Sequence, residues 1–396
     1  MVMPEVQDIF MTHAKQYHQK HPLSPEKYKA MMDIINCRTM ELGGHIDECD
    51  ECGNLQISYN SCRNRHCPKC QTFLKEKWID ARKEELLPVP YFHIVFTIPE
   101  ELNMLIYQNQ KKGYKLFFKA VSETLKELSE DPKHFGAKIG FVCLLHTWSQ
   151  NMLYHPHLHV VLPFGGLTPD GKFKIGAEDF FIHVQVLSSM FKGKFLHMLE
   201  KAYSEGDLEF YGSMLEYEHD QLFQAYLNTL RKKDWVVYCK ETFSGPEAVI
   251  EYLGRYTHRI CISNNRILRF EDGSVTFKWK DYRDNKQKIM TITAEEFIRR
   301  FLMHILPSGL RKINYYGILS NRNKKVKLRQ CQRVLDYECS KSIFKDMTAV
   351  DIIKAITGTD ITLCPCCKKG RLRTVRTVEP KSGSPPVTGE FNTKYC

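Results

Sequence analysis

The chain has 396 residues, 43% hydrophobic and 26% charged, with a formal net charge of +11. No apolar run reaches membrane-spanning length, which excludes a helical membrane protein, and the length leaves room for two or three domains. The positive balance favours an anionic partner, nucleic acid above all.

"MVMPEVQDIF" lacks the basic-then-apolar pattern of a secretory signal, so a cytoplasmic location is expected. Residues 5–40 read as helical, with Ser24-Pro25 as a helix start. Residues 41–70 are short, rich in Gly and Cys and aperiodic, as in a metal-held knuckle. A helix is predicted over 71–87 and a strand over 91–99, stopped by Pro99. A long helix follows across 109–130. "KIGFVCLLHTWS" and "HPHLHVVLP" are two strands joined by a turn around Gln150–Tyr154. Residues 177–233 read as a helical insertion, 235–241 as a strand and 245–259 as a helix. Residues 266–282 form a hairpin turning at Asp272-Gly273, and 293–306 form a helix. The Pro/Gly/Ser-rich end, from about 377, is expected to be disordered. This order predicts an α+β fold, an antiparallel sheet flanked by helices.

The chain has 15 cysteines, clustered at 37–70 and 364–367. In a reducing compartment such clustering points to metal rather than disulfides. Cys49-x2-Cys52 and Cys67-x2-Cys70 have the pattern of a tetrahedral structural Zn²⁺ site. Cys37, His45, Cys62 and His66 are a candidate second, interleaved zinc set, or else buried thiols and surface imidazoles. Arg63, Arg65 and Lys69 would decorate a surface facing nucleic acid. "CPCC" (Cys364, Cys366, Cys367) has no partner pair at a recognisable spacing.

His155, His157 and His159 alternate along one strand and therefore share a face, with Leu158 and Val160 toward the core. So many imidazoles are hard to satisfy by packing, and metal binding explains them economically. In "EYLGRYTHR", Tyr252 and Tyr256 stand one helical turn apart. Such a stripe is ordinary core packing in isolation, but Arg255, His258 and Arg259 around it suit phosphate contact.

"HPHLHVVLPFGG" together with "YLGRYTHR" resembles the two-tyrosine HUH rolling-circle transposases of the IS-ninety-one family of insertion sequences. His157-Leu158-His159 is the histidine–hydrophobe–histidine motif. "CRTMELGGH" and "YNSCRNRHCPKCQ" resemble that family's zinc-binding domain, and "RFLMHILPSGLRKINYYGILSNR" resembles its C-terminal portion. The likeness spans roughly residues 5–325.

The resemblance implies a zinc-binding domain over 1–88 and an HUH, Rep-like catalytic palm over 89–325 interrupted by the helices of 177–233. A basic, Cys-containing, partly disordered tail would follow over 326–396. It implies a transposase that nicks and rejoins single-stranded or hairpin DNA at element ends, and then target DNA, through a 5′-phosphotyrosine. Tyr252 and Tyr256 would be the nucleophiles, and Mg²⁺ or Mn²⁺ would sit on His157 and His159. Related initiators take a polar third ligand some seven residues before the first histidine. That is Gln150 here, with His155 the rival and His146 a weaker candidate. Arg63, Arg65, Arg255 and Arg259 would contact DNA, and Trp148, Tyr154 and Phe164 are candidates to stack on bases. A homo-oligomer is compatible with this reading, as is association with the bacterial nucleoid. A plasmid replication initiator or relaxase would use the same chemistry. A zinc-dependent DNA-binding regulator or a metal hydrolase would not need the tyrosines. There is no GxxxxGK[ST] phosphate loop, so strand separation would come from elsewhere.

Overall fold

The structure, a computed structural model, describes residues 3–176, 182–242 and 246–381. Strands rich in β-branched and aromatic residues assemble its main sheet. Tyr154–Pro163 lies between Lys138–Trp148 and Tyr91–Thr97, and Val237–Thr242 borders the latter. Gly165–Leu167, Phe173–Ile175 and Ile313–Gly317 complete a seven-stranded antiparallel sheet beyond Lys138–Trp148.

Period-two alternation divides this sheet into two faces. Phe92, Ile94, Phe96, Phe141, Cys143, Leu158, Val160 and Leu162 form one, buried beneath the helix Gln110–Glu130. The segment expected as a helical insertion contributes the helices Val184–Ser204 and Asp220–Lys232. Their Phe191, Phe195, Phe223 and Leu227 complete this core. The opposite face carries the histidines and is covered by the helices Gln71–Lys83 and Pro246–Thr257. Among the described residues no helix is long and apolar enough to cross a membrane.

The N-terminal helices Val6–Lys20 and Pro25–Ile35 pack on the meander Ile267–Glu271, Ser274–Asp281 and Lys286–Thr293 and on the helix Ala294–Met303. Phe10 meets Phe301 edge-to-face at 5.2 Å. Asp272 and Gly273 turn the first hairpin with φ of 48° and 69°, the left-handed pair a two-residue loop requires. The N-terminal helices thus share a core with residues beyond 260 instead of closing a domain within 1–88.

The C-terminal region is also more ordered than a tail. It forms the helices Lys324–Val334 and Ala349–Thr357 and the strand Leu372–Val378. That strand pairs with Gly44–Cys49, whose other edge pairs with Leu55–Tyr59. Residues 382–396 lie outside the described residues.

Candidate functional site

The histidines meet because of strand register. His146 lies directly opposite His157, and His159 lies opposite Leu144 and Val95. His146, His157 and His159 each direct one ring nitrogen into a common space, with those atoms within 4.8 Å of one another.

Their other nitrogens are engaged. The His146 Nε2–H donates to the Tyr256 carbonyl at 2.7 Å, leaving Nδ1 bare. The His157 Nδ1–H donates to the His155 carbonyl at 2.8 Å, leaving Nε2 bare. A carbonyl only accepts, so both tautomers follow from the partners. His159 Nδ1 meets His93 Nε2 at 2.8 Å, and His93 Nδ1 meets the Tyr252 hydroxyl at 2.7 Å. With Nε2 of His159 bare, as in His157, its Nδ1–H donates to His93, whose own Nδ1–H then donates to the Tyr252 oxygen. Locking one imidazole nitrogen by a hydrogen bond is what presents the other as a ligand.

Gln150 is not brought to this cluster. It stands in the exposed turn after the strand, donating its amide to the Tyr282 hydroxyl at 2.8 Å. Counting seven residues back from His157 lands in the connecting turn, whereas the residue that shares the face is the cross-strand neighbour, His146. His155 stays outside the triad and supplies its carbonyl to His157. His93, a lone polar residue within "YFHIVFTIP", escaped the sequence reading. Its parity with Val95 and Thr97 on a strand facing His159 was the available signal.

The helix Pro246–Thr257 lays Tyr256 on the triad and Tyr252 on His93. The Tyr256 ring lies 4.4 Å from that of His159 and 5.8 Å from that of His146, centroid to centroid. Tyr252 and Tyr256 are 4.7 Å apart. Gly254, between them, faces Ile79 of the helix Gln71–Lys83, and a Cβ there would collide with that side chain. The missing side chain lets the two helices approach.

Burial dominates the electrostatics. It holds His157 down to about 3 and His93 to about 4, and pushes His146 and His159 well below the usual imidazole range. All four are therefore neutral at physiological pH, the state a metal ligand needs. Burial likewise lowers Lys312 to about 7, and its amine donates to the Arg259 carbonyl at 2.7 Å.

Two structural histidines give a stability prediction. Burial lowers His304 to about 4 and His258 to about 3, from 6.5. The folded pKa lies below the unfolded one, so the unfolded chain binds more protons between these values. Stability is full above pH 6.5 and falls as pH drops toward 4, by on the order of 3 kcal/mol for His304 alone. Urea midpoints should decrease from pH 7 to pH 5, and less steeply in His304→Gln. Equal slopes would reject the assignment.

The cysteines form two sets of four, each with sulfurs within 4.8 Å. Cys37, Cys62, Cys67 and Cys70 are one, and Cys49, Cys52, Cys364 and Cys367 the other. The expected set of Cys49, Cys52, Cys67 and Cys70 is divided between them. Cys49 and Cys52 occupy the tip of the hairpin Gly44–Tyr59, while Cys67 and Cys70 lie at its base with Cys37 and Cys62. The intervening strand Leu55–Tyr59 spans about 17 Å, too far for one ion. Neither expected histidine joins a cluster. His45 pairs with Asp47 at 3.2 Å, and His66 is directed elsewhere with its Nε2 buried.

Arg65 donates to the Leu310 carbonyl at 2.8 Å and also to those of Leu306 and Pro307, which ties the knuckle down while the residue itself stays exposed. Arg63 is exposed, and Arg259 lines a small cavity with Lys312 and Trp148. The Arg255 side chain lies outside the described residues. Phe164 is buried against Phe92 and Phe135, and Tyr154 hydrogen-bonds Tyr114 at 2.6 Å, so both belong to the core. Trp148 stacks on His146 at 4.7 Å.

Comparison with known proteins accords with this geometry. A family model described as "Putative transposase" matches residues 140–327, and one described as "Transposase zinc-binding domain" matches residues 9–98. "Putative transposase y4qJ" of Sinorhizobium fredii (strain NBRC 101917 / NGR234) is 45% identical over 387 residues, covering 96% of this chain and 97% of its own. "Transposase for insertion sequence element IS801" of Pseudomonas savastanoi pv. phaseolicola is 25% identical over 293 residues, covering 73% of this chain and 69% of its own. No solved structure matches the chain.

Proposed function

The chain belongs to the transposases of the IS-ninety-one family, and from that premise we propose that it nicks and rejoins single-stranded DNA at insertion-sequence ends through a 5′-phosphotyrosine, driving rolling-circle transposition. The observation that carries this reading is the line from the Tyr252 hydroxyl through His93 to His159, with Tyr256 set against two of three buried or half-buried imidazoles.

The tyrosine oxygen attacks the phosphorus. A Tyr–O–P bond forms as the P–O3′ bond breaks; the phenolic proton passes to solvent, and the departing 3′ oxygen takes one proton from solvent. The phosphoester energy stays in the adduct, so rejoining to a new 3′ hydroxyl needs no ATP. His146, His157 and His159 would hold a divalent cation, which when bound polarises the scissile phosphate and stabilises the charge built up on it. The donor set fits an ion: three neutral imidazoles with bare nitrogens converging. It includes no carboxylate among the described residues, which favours a first-row transition ion such as Mn²⁺ over oxygen-seeking Mg²⁺. His93 donates to the Tyr252 oxygen and so favours its phenolate. In this tautomer it has no lone pair left to accept the phenolic proton. The Cys37, Cys62, Cys67 and Cys70 set would hold the structural zinc of the N-terminal domain.

The direct test is incubation with labelled single-stranded DNA from the flanks of the gene, with Mn²⁺. An SDS-stable adduct and an extendable 3′ hydroxyl are expected. DNA binding without any adduct would instead support a non-catalytic regulator. His93→Leu should slow nicking 10–100-fold and move the rise of its pH–rate profile upward, because the phenolate loses its donor. His93→Gln, which retains an N–H, should recover part of the rate. An unchanged pH profile in His93→Leu removes His93 from the chemistry.

A further inference from the structure

We propose that Cys49, Cys52, Cys364 and Cys367 form a second tetrahedral zinc site, which clasps the C-terminal segment onto the tip of the N-terminal hairpin. Half of its ligands lie far outside the matched zinc-binding domain of residues 9–98.

The sulfur spacing carries the assignment. Cys49 Sγ and Cys367 Sγ are 3.7 Å apart, as are Cys52 Sγ and Cys364 Sγ. A tetrahedron with Zn–S bonds of about 2.3 Å places its sulfurs about 3.75 Å apart. A disulfide needs about 2.05 Å. The first cysteine set shows the same separations, 3.6 and 3.7 Å.

Both halves of the site are turns shaped to present thiolates. In the first, Gly53 at φ 66° donates its N–H to the Cys49 carbonyl at 3.0 Å. In the second, Lys368 takes φ 57°, its N–H donates to the Cys364 carbonyl at 3.0 Å, and the Gly370 N–H points at Cys367 Sγ at 3.3 Å. N–H donors aimed at sulfur offset thiolate charge. Gly370 is required for space, since a Cβ there would collide with Cys49 Sγ.

Apolar burial does not hold this lobe together. The strands Gly44–Cys49, Leu55–Tyr59 and Leu372–Val378 contribute nothing to the three hydrophobic clusters, and Leu55 and Ile57 are 62% and 54% exposed. A three-stranded sheet without a core needs another staple. Polar ties cross the seam: the Arg371 N–H to Asp50 at 2.6 Å and the Thr374 hydroxyl to Asp47 at 2.7 Å. Such exposed contacts are weak singly, whereas a structural zinc contributes folding energy outright. The clasp also anchors the segment bearing Ala349–Thr357, which walls a cleft of about 500 Å³ facing Arg38, Arg63 and Lys69.

The test needs no DNA, so its outcome is separate from that of the nicking reaction. The full chain, purified under reducing conditions, should contain two thiolate-bound zinc ions, counted throughout as those released by thiol modification, so that any ion on the imidazole triad is left out. Cys364→Ser with Cys367→Ser should contain one, and trypsin should then cut within 368–376, which the intact protein protects. Cys366→Ser, an exposed neighbour outside the set, should keep both ions. Should the double variant fold poorly, cobalt titration of the zinc-free wild type decides: two equivalents with tetrahedral thiolate spectra are expected. One zinc in the wild type, two in the double variant, or cobalt saturation at one equivalent each overturns the clasp.

Discussion

Replacing Tyr252 and Tyr256 together by Phe should abolish the covalent DNA adduct while leaving the fold and zinc content intact. Each change removes one hydroxyl and keeps the ring. The packing of Tyr256 against His159, at 4.4 Å, is therefore retained. Tyr252 loses its hydrogen bond to His93, which costs about 1 kcal/mol of stability. The loss of nicking should be on the order of 10⁴-fold or more, because the double variant removes both phenolic oxygens proposed to form the phosphoester. The single variants should differ. Of the two phenols, Tyr252 is the one hydrogen-bonded to the histidine line, so Tyr252→Phe should lose first-strand nicking. Tyr256→Phe should still nick but fail in the second transfer. Band-shift binding of uncleaved DNA should survive in all three. An adduct that persists in the double variant would exclude both residues as nucleophiles.

Local pattern conveys much of this arrangement. Alternation in "HPHLHVVLP" assigns the histidines to one sheet face and Leu158 and Val160 to the other, because pleating allows no alternative. Asp272-Gly273 announces its hairpin because both residues must take positive φ. What escapes is whatever depends on pairing between distant segments. The third imidazole, His146, is fixed by cross-strand register and by the irregularity between His146 and Trp148, neither of which chain spacing encodes. The cysteine sets escape for the same reason. Spacing joins the two CxxC turns, but the hairpin between them sends one to its tip, where its partners arrive from the other end of the chain. Gly254 is silent in a helical pattern until Ile79 is seen against it.

That last contact joins the cysteine knuckle to the helix carrying the proposed nucleophiles. Cys70 ends the knuckle immediately before the helix Gln71–Lys83, and this helix packs along the tyrosine helix through Ile79 and Gly254. Cys37, Cys67 and Cys70 also belong to the cluster that unites Phe10, Phe277 and Phe301. If Cys37, Cys62, Cys67 and Cys70 hold zinc as proposed, removing it leaves four clustered thiols in a core and frees the support of the proposed nucleophiles Tyr252 and Tyr256. Structural zinc in small domains is worth about 10–16 kcal/mol, which exceeds the stability of most domains. Cys37→Ser with Cys62→Ser should lower the melting temperature by roughly 10 °C or more and eliminate nicking even in saturating Mn²⁺. Gly254→Val separates the two effects. It should keep the zinc content while reducing nicking, because the added side chain forces the helices apart and lifts the tyrosines from the triad. Full nicking activity in Gly254→Val would mean that the zinc domain does not position the tyrosine helix.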